Sequence, residues 1–320
     1  MTRLLLGLFL LVFSLSGNSQ NYPLKPVRLV IGFSAGGPTD VIGRILAQDM
    51  TASLGQTVLI ENKPGAAAMI ATQEVKRAAP DGYTLLMTTL THNVNAILHA
   101  EKKPYDPVQD FTPVSLVCLL PLVAVTKGDA PFNSMADLIK AARAKPGEVT
   151  YASSGNGGSA HLAGALVETL SKTQMTHVPF KGNAPALTEV MAGRISFMFY
   201  PMVGIAEQVA QKRLKVIAVS TAKRHPDYPA APTMAESGFA GFEEYTQGLG
   251  VVGPAGMPEP VVKRLNEAIH ASLGKADTLD RLKTNGAIVQ TSSPAEFSAW
   301  LKKDAERWAR VIQAAGVKAE

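Results

Sequence analysis

Short apolar runs alternate with amphipathic stretches along most of the chain. Three of these runs, over 29–33, 57–61 and 83–88, have the length and composition of strands. Between them, the stretches 38–53 and 68–79 repeat apolar residues at helical spacing. The order strand, helix, strand, helix, strand predicts a parallel sheet with right-handed crossovers.

A second set of elements begins after the proline-rich link at 104–107. It is predicted to contain strands over 122–126, 149–152, 176–179, 195–199 and 215–220, with helices over 134–144, 160–170 and 185–192. A strand over 249–254 and two amphipathic helices complete the chain, and the last helix carries Trp300 and Trp308 at core spacing. A mature chain of about 300 residues exceeds one ordinary core, so we expect two α/β lobes.

The N-terminus has the order typical of a secretory signal. Met1-Thr2-Arg3 is followed by an apolar run over 4–15 and by the small residues Gly17 and Ser19. We therefore predict a cleaved signal peptide over 1–19 and a periplasmic protein. The alternative is an uncut membrane anchor, but the run is shorter than the roughly 18 to 20 residues that span a bilayer.

Composition narrows the class of protein further. Hydrophobic residues make up 46% of the chain and aromatic residues only 6%, which suits an aliphatic α/β interior. The single cysteine, Cys118, lies in an apolar run and is predicted to be a small buried hydrophobe. A net charge of +5 mildly favours acidic ligands, and because no concentrated basic patch appears, we expect no nucleic-acid partner.

Two glycine-rich turns carry the candidate chemistry, because each follows a predicted strand and opens a helix. The first spans 32–40 and the second spans 153–161. Such a turn exposes backbone N–H groups at the positive end of a helix dipole and binds anions without a charged side chain. Open parallel sheets bind ligands at the carboxyl ends of their strands, so two such turns suggest two lobes closing on one acidic ligand.

Within the first turn we separate ligand contacts from structure. Pro38 suits the first helical position and Gly37 the N-cap, while Asp40 falls in the first helical turn. A carboxylate there would repel an acidic ligand, so Asp40 is predicted to be a structural cap. The predicted contacts in this turn are Phe33, Ser34, Ala35, Gly36, Gly37, Pro38 and Thr39.

Two enzyme readings of the second turn are weaker. Gly155-x-Gly157-x-x-Ala160 matches a dinucleotide fingerprint, but the next strand carries no acid at its end. Ser154 or Ser159 could be a nucleophile beside His161, yet no carboxylate is placed to orient that histidine, which we expect to hydrogen-bond its own loop. Six scattered histidines and one cysteine show no metal-ligand spacing. We predict no catalytic residue, cofactor or metal.

Several motifs, in order along the whole mature chain, resemble the Bug family of TctC-like solute-binding proteins of tripartite tricarboxylate transporters. The motifs are Tyr22-Pro23-x-Lys25-Pro26-Val27-Arg28, the Gly-Gly-x-x-Asp turn at 36–40, Pro80-Asp81-Gly82-Tyr83, Ser153-Ser154-Gly155-Asn156-Gly157 with His161, and His177-Val178-Pro179-Phe180-Lys181-Gly182.

The resemblance implies a type II-like periplasmic binding protein in which two α/β lobes, each a mainly parallel sheet flanked by helices, enclose a ligand cleft. Transferred to this chain, the resemblance assigns 22–121 plus 240–320 to lobe 1 and 122–239 to lobe 2. It implies small carboxylate ligands held by both turns and by residues near them. These further contacts are Thr91, His92, Ser153, Ser154, Gly155, Gly157, Gly158, Ser159, Gly182 and Asn183.

Departures from the family pattern suggest the kind of acid. Ser34 and Ala35 stand where the family often has prolines, and Tyr200 stands where many members have aspartate. A tyrosine pairs poorly with an ammonium group, so an amine-free acid is favoured, with Tyr200 as a contact and with Tyr200 and Tyr245 flanking a ring.

The sequence thus predicts a monomer that captures a small carboxylate and delivers it to the membrane permease subunits of a tripartite transporter. One alternative is a ligand sensor for a membrane signalling partner. A secreted hydrolase that uses the same cleft is the other.

Overall fold

A computed structural model describes residues 22–319 of the chain. The predicted signal peptide, 1–19, lies outside the described residues. Six strands form the first sheet, in the order β11-β4-β10-β3-β1-β2. Their bounds are β1 Val27–Ile31, β2 Val58–Asn62, β3 Thr84–Thr88, β4 Phe111–Leu120, β10 Gln247–Pro254 and β11 Ile288–Val289.

Five strands form the second sheet, in the order β7-β6-β8-β5-β9. Their bounds are β5 Leu122–Lys127, β6 Thr150–Ser153, β7 Thr176–Pro179, β8 Phe197–Pro201 and β9 Leu214–Val219. The α-helices flank both sheets: α1 Pro38–Leu54, α2 Met69–Lys76, α3 Thr91–Leu98, α4 Met135–Ala144, α5 Ser159–Ser171, α6 Asn183–Met191, α7 Ala206–Ala210, α8 Glu259–Leu273, α9 Ala276–Thr284 and α10 Pro294–Ala315.

The pairing of β1, β2 and β3 confirms the predicted parallel unit. β1 lies between the other two and is parallel to both. Both sheets are nevertheless mixed, since β10 and β11 run against the other strands of the first sheet. In the second sheet β5 runs against β8 and β9. Most strands in each sheet still point the same way, so their carboxyl ends gather at one edge.

The chain passes between the sheets at Pro121, which alone separates β4 from β5. The carbonyl of Pro121 accepts a hydrogen bond from the Met202 N–H at 2.9 Å, and the Leu122 N–H donates to Ser220 Oγ at 2.9 Å. The chain returns through 220–246 into β10. We keep the names lobe 1 and lobe 2 for the predicted ranges, whose bounds stay a prediction.

Helix α1 forms where the sequence predicts it. Pro38 occupies its first turn, and Gly55 ends it in the left-handed region at φ 71° with its N–H bonded to the Thr51 carbonyl. Its predicted apolar face packs into the core of the first sheet, with Ile42, Ile45, Leu46 and Met50 buried and Val41 half-buried. This packing fixes the first turn at the edge of the sheet.

Helix α10 contacts both lobes, because it packs against α3 on one side and against α5 on the other. Trp308 is fully buried as predicted, whereas Trp300 is only half-buried, against Phe297. Asp304 accepts hydrogen bonds from the Asn93 side chain at 2.9 Å and from Trp308 Nε1 at 3.1 Å. Burial raises the pKa of Asp304 in spite of the nearby Arg307 guanidinium.

Cys118 is fully buried in strand β4, as predicted, and burial raises the pKa of its thiol to about 12. Within residues 22–319, no helix combines the length and apolar character that a bilayer-spanning segment requires.

Candidate functional site

The first turn connects β1 to α1, and its shape depends on Asp40. The Gly36 N–H donates to Asp40 Oδ2 at 2.9 Å, Arg44 Nε donates to the same oxygen at 2.8 Å, and Asn62 Nδ2 donates to Oδ1 at 2.9 Å. Burial opposes ionisation of Asp40, but these hydrogen bonds lower its pKa overall. The carboxylate therefore faces its own turn and the end of β2.

The second turn connects β6 to α5 and is held by a fully buried serine. Ser153 Oγ accepts a hydrogen bond from the Gly155 N–H at 3.1 Å and lies 2.7 Å from His177 Nε2. The Gly157 N–H donates to His161 Nδ1 at 3.0 Å, so His161 bonds to its own loop as predicted. Gly155 and Gly157 have φ of 123° and 76°, values that residues with a side chain rarely adopt.

Beneath this turn, the rings of His161 and His177 stack with centroids 4.0 Å apart and planes 9° apart. Burial and the neighbouring His161 lower the pKa of His177 to about 3. Tyr151 stacks on the other side of His177, and its hydroxyl donates to Glu168 at 3.0 Å. The second turn is therefore packed against two stacked, neutral imidazole rings.

A third turn, over 65–68, was not predicted from the sequence, and we call it the alanine turn. Ala66, Ala67 and Ala68 have φ of 45°, 49° and 73°, and each such residue costs about 1 to 2 kcal/mol relative to ordinary backbone. The turn follows β2 at the sheet edge that holds the first turn. The dipeptide Pro64-Gly65 indicates a turn, but the alanines that follow it favour a helix instead.

The lobes touch where these turns meet. The Ser34 N–H donates to the Lys181 carbonyl at 3.3 Å. A Cβ on Gly182 would lie 2.2 Å from Ser34 Oγ, and a Cβ on Gly155 would lie 3.3 Å from the Cβ of Ala67. Only glycine fits at Gly182 without displacing the first turn. The structure therefore holds the cleft closed.

Three helices begin at this closed cleft with glycine at the N-cap and no side-chain hydrogen bond there: α1 at Gly37, α5 at Gly158 and α6 at Gly182. Among the other α-helices, serine side chains cap α4 and α10, whereas α2, α3, α7, α8 and α9 also lack a side-chain cap but have a residue other than glycine at the N-cap. A Cβ on Gly37 would lie 3.8 Å from the Ala184 nitrogen, so the first turns of α1 and α6 approach each other across the lobes. Uncapped helix N-termini attract anions.

A pocket of about 590 Å³ lies between the alanine turn and the second turn. Its lining comes from both lobes and contains the basic side chains of His99, Lys181 and Lys318. No aspartate or glutamate in the described part of the chain lines it. The other lining residues are Gly32, Gly65, Ala66, Ala67, Ala68, Asn95, Leu98, Ser154, Gly155, Asn156, Pro179, Phe180 and Ala319.

Eleven of the predicted contacts lie in or beside the pocket and the first turn. Ser154 and Gly155 line the pocket, with Gly157 close to them in the same turn. Ser34 lies against Gly182, the residue before Asn183, and Ser34 Oγ and Asn183 Oδ1 are buried without a hydrogen-bond partner among residues 22–319. The rest of the first turn surrounds Ser34, with Phe33 packed into the core, Ala35 and Gly36 exposed, and Gly37, Pro38 and Thr39 buried at the start of α1.

Thr91 and His92 are not among the residues that line this pocket. Both are buried at the start of α3, a helix that was not predicted from the sequence. Thr91 Oγ1 lies 2.9 Å from Thr89 Oγ1. The His92 ring stacks on Tyr105, and its Nε2 lies 2.8 Å from the Pro107 carbonyl. Burial lowers the pKa of His92 to about 4. It is the far end of α3 that contributes lining residues, Asn95 and Leu98 among them.

Tyr200 and Tyr245 cannot flank one ring, because they belong to different core clusters. Tyr200 is buried in lobe 2 among Val123, Met198 and Leu187. Tyr245 stacks on Phe242 and contacts the edge of Trp308. Burial raises the pKa of Tyr200, and the pocket lining does not include it.

Two further predicted contacts, Ser153 and Ser159, are also buried. The Ser153 hydroxyl serves the second turn itself, and Ser159 begins α5. Within the described ranges, no group of three or more histidine, cysteine or acidic side chains could hold a metal ion.

Comparisons with known proteins agree with this architecture. Residues 42–317 match the family described as the tripartite tricarboxylate transporter family receptor, TctC. The periplasmic binding protein BugD is 34% identical, with a TM-score of 0.89 over 93% of this chain and 100% of that one. Rpa4515 of R. palustris with adipate is 32% identical, with a TM-score of 0.88 over 93% and 99%. MatC from Rhodopseudomonas palustris with bound malate is 30% identical, with a TM-score of 0.86 over 91% and 100%.

The resemblance noted from the sequence motifs is thereby confirmed, as is the two-lobe α/β fold of periplasmic binding proteins. The match extends over most of the chain and includes α1 from residue 42 onwards and the second turn. This chain belongs to the TctC receptor family and is a Bug-type solute-binding protein.

Proposed function

We propose that this protein is exported to the periplasm, closes its two lobes on a small amine-free carboxylate, and delivers that ligand to the permease subunits of a tripartite transporter. The protein binds and closes, and it carries out no chemistry. It acts as a monomer. The observation that carries the proposal is the meeting of three helix N-termini without side-chain caps at one closed cleft.

The cleft chemistry supports an anion. Helix N-termini present unsatisfied N–H groups and a positive dipole end, and burial strengthens both effects. The unpartnered Ser34 hydroxyl can donate to a carboxylate, while the unpartnered amide oxygen of Asn183 can accept from a ligand hydroxyl or a bridging water. Two relatives point the same way, since their structures hold malate and adipate.

The pocket also supports an acid without an amine. An ammonium group needs acceptors, and a carboxylate is the strongest of these. The lining contributes three basic side chains and, within residues 22–319, no acidic one. Tyr200 lies in the core of lobe 2 and cannot replace the missing acid. An amino acid would therefore bury its ammonium group without a carboxylate partner, at a net cost in desolvation free energy.

Calorimetry with a matched set of small molecules tests this proposal. A set of C4 to C6 carboxylates should include at least one tight ligand, while the corresponding amides and the amino acids aspartate and glutamate should bind at least tenfold more weakly. The best acid at 100 times its Kd should stabilise the fold by about 2.7 kcal/mol. Tight binding of aspartate or glutamate, with none of amine-free acids, would overturn the proposal.

Transport is tested separately, because a sensor would bind the same ligand. Membrane vesicles that contain a tripartite permease should accumulate the ligand only when this protein is added in its liganded form. If the protein binds the ligand but the vesicles take the ligand up equally well without the protein, the sensor role is favoured instead.

A further inference from the structure

The alanine turn lies between glycines of the other two turns. A Cβ on Gly32, where β1 enters the first turn, would lie 2.2 Å from the Cβ of Ala68. A Cβ on Gly155, in the second turn, would lie 3.3 Å from the Cβ of Ala67. One left-handed segment therefore packs against lobe 1 through Ala68 and against lobe 2 through Ala67.

Each carbonyl of the three alanines accepts a hydrogen bond, but the donors differ in origin. The carbonyls of Ala66 and Ala68 accept from donors within the segment 66–72 itself. The carbonyl of Ala67 instead accepts from Asn95 Nδ2 at 2.9 Å, across 28 residues of the chain. Local bonds thus serve two of the alanines, while a separate helix, α3, holds the one that faces lobe 2.

Helix α3 places Asn95 where both lobes meet. The side chain is buried, with only 2% of the residue exposed. Its neighbours Val94 and Leu98 lie close to the second turn, since a Cβ on Gly157 would be 3.0 Å from Val94 Cγ1 and 2.9 Å from Leu98 Cδ1. The same helix therefore contacts the alanine turn of lobe 1 and the second turn of lobe 2.

The alanine turn needs an external hydrogen bond because its backbone is strained. Left-handed conformations are costly for alanine, and such strain persists only where the surrounding contacts impose it. Without the Asn95 amide, the buried Ala67 carbonyl would lose its donor, and the turn would relax towards ordinary backbone. Ala67 would then move away from Gly155, and the closed arrangement of the lobes would lose a contact.

We infer that Asn95 is a positioning residue for lobe closure, which holds the alanine turn in its left-handed form and so keeps Ala67 packed against lobe 2. Asn95 also lines the pocket, but this role acts through the turn and does not require contact with the ligand. The inference rests on the proposed function, since it concerns how the same cleft closes, and it assigns part of that closure to a residue outside the glycine turns.

Calorimetry with malate and adipate as probes, on the protein and on Asn95→Leu, tests the inference. Leucine is close to asparagine in size but has no donor, so Kd should rise about fivefold, as for the loss of one ordinary hydrogen bond. In an Ala67→Gly background, where the left-handed conformation is not strained, the same change should raise Kd less than twofold. An equal rise in both backgrounds would mean that Asn95 contacts the ligand directly, and would overturn the inference.

The matched control is Asn266→Leu, because Asn266 Nδ2 likewise donates to a backbone carbonyl, that of Val114 at 2.8 Å, from helix α8. This variant should be less stable to urea than the unmodified protein but should bind the probes with the same Kd. Asn95→Ser, whose shorter side chain removes the same bond to Ala67, repeats the test if Asn95→Leu does not fold.

Small-angle X-ray scattering without ligand gives a measure of closure that does not depend on the probe. Asn95→Leu should have a larger radius of gyration than the unmodified protein, and Asn266→Leu should not. Unchanged scattering, or an unchanged Kd for a probe that binds, would overturn this inference alone. Failure of every carboxylate to bind the unmodified protein would instead overturn the proposed function, and the scattering would still decide the role of Asn95.

Discussion

The imidazole of His161 lies parallel to that of His177, 4.0 Å away, directly under the second turn. His161 Nδ1 accepts the Gly157 N–H, which only an unprotonated nitrogen can do. Two imidazoles this close cannot both be charged without repulsion. The shape of a ligand-facing turn is thereby linked to the protonation of residues that do not face the ligand.

This stack predicts a loss of stability in acid. The pKa of His177 is about 3 in the folded protein and about 6.5 in an unfolded chain, so the unfolded chain binds more protons between these values. The stabilisation is fully present above pH 6.5 and is lost as the pH falls towards 3. Since His177 is partly exposed, we expect about 2 kcal/mol of pH-dependent loss between pH 7 and pH 4.

Urea unfolding of the protein and of His177→Gln at several pH values measures this loss. The variant keeps a donor for Ser153 and should lose about 2 kcal/mol less over the same range. His270→Gln, which changes an exposed histidine of α8, should behave like the unmodified protein. Identical pH profiles for all three proteins would contradict the prediction.

Closure is predicted to depend on the absence of a side chain at Gly182. In Gly182→Ala the new Cβ would overlap Ser34 Oγ and hold the lobes apart. We expect ligand affinity to fall at least tenfold, about 1.4 kcal/mol, with a smaller change in the free energy of unfolding. Calorimetry and thermal unfolding together separate the two effects.

A second substitution sharpens this test. Ser34→Ala removes the overlapping oxygen, so Ser34→Ala in the Gly182→Ala background should recover part of the lost affinity. Gly274→Ala, at the end of α8 and away from the cleft, is the control and should bind normally. An unchanged Kd in Gly182→Ala would show that closure does not use this contact.

The alanine turn is predicted to store strain that glycine would relieve. Ala67→Gly removes the left-handed penalty of about 1 to 2 kcal/mol but adds unfolded-chain entropy worth about 0.4 to 1 kcal/mol. The first effect is larger, so we expect a net stabilisation of about 0.5 to 1 kcal/mol.

The matched control is Ala71→Gly, a buried position within α2, where the same change should destabilise by about 1 kcal/mol. Chemical denaturation measures both. A destabilised Ala67→Gly variant would mean that the packing of the Ala67 methyl against the second turn outweighs the backbone strain.

Loss of the Asp40 carboxylate should destabilise the first turn. Asp40→Asn keeps the size of the side chain but removes the charge that accepts from Gly36 and Arg44. We expect a loss of about 1 to 2 kcal/mol at pH 7. Because the folded pKa of Asp40 is lowered, the difference from the unmodified protein should shrink as the pH falls below the unfolded value of about 3.9. Denaturation at pH 7 and pH 3 measures it.

Local sequence patterns were sufficient for nine of the eleven strands in the described residues, for α1 and for the positions of both glycine turns, whereas β4 and β11 were not predicted. The bounds of the predicted strands were close where an apolar run is continuous, as in β1 and β3. Helix α3 was missed because its first residues, Thr91, His92 and Asn93, are polar and look like a loop. They are buried only because Tyr105, Phe111 and α10 cover them.

The site was harder to predict because side-chain direction is a tertiary property. Tyr200 was expected after a strand ending at 199, but β8 continues to Pro201 and carries its phenol into the core of lobe 2. The alanine turn could not be predicted because alanine has the highest intrinsic helix propensity of all residues. No feature of the sequence indicated that Lys318 lies near the cleft, because the turns that form the cleft lie more than 130 residues earlier in the chain.

The attachment of α10 to both α3 and α5 has a consequence for how fast the ligand leaves. A rotation of one lobe relative to the other about Pro121 alone would break one of these two helix contacts. We therefore expect opening to move the end of α10 relative to α5. We expect a slow exit step and a long residence time for the bound acid, set by the sliding of a helix and not by the strength of any single hydrogen bond.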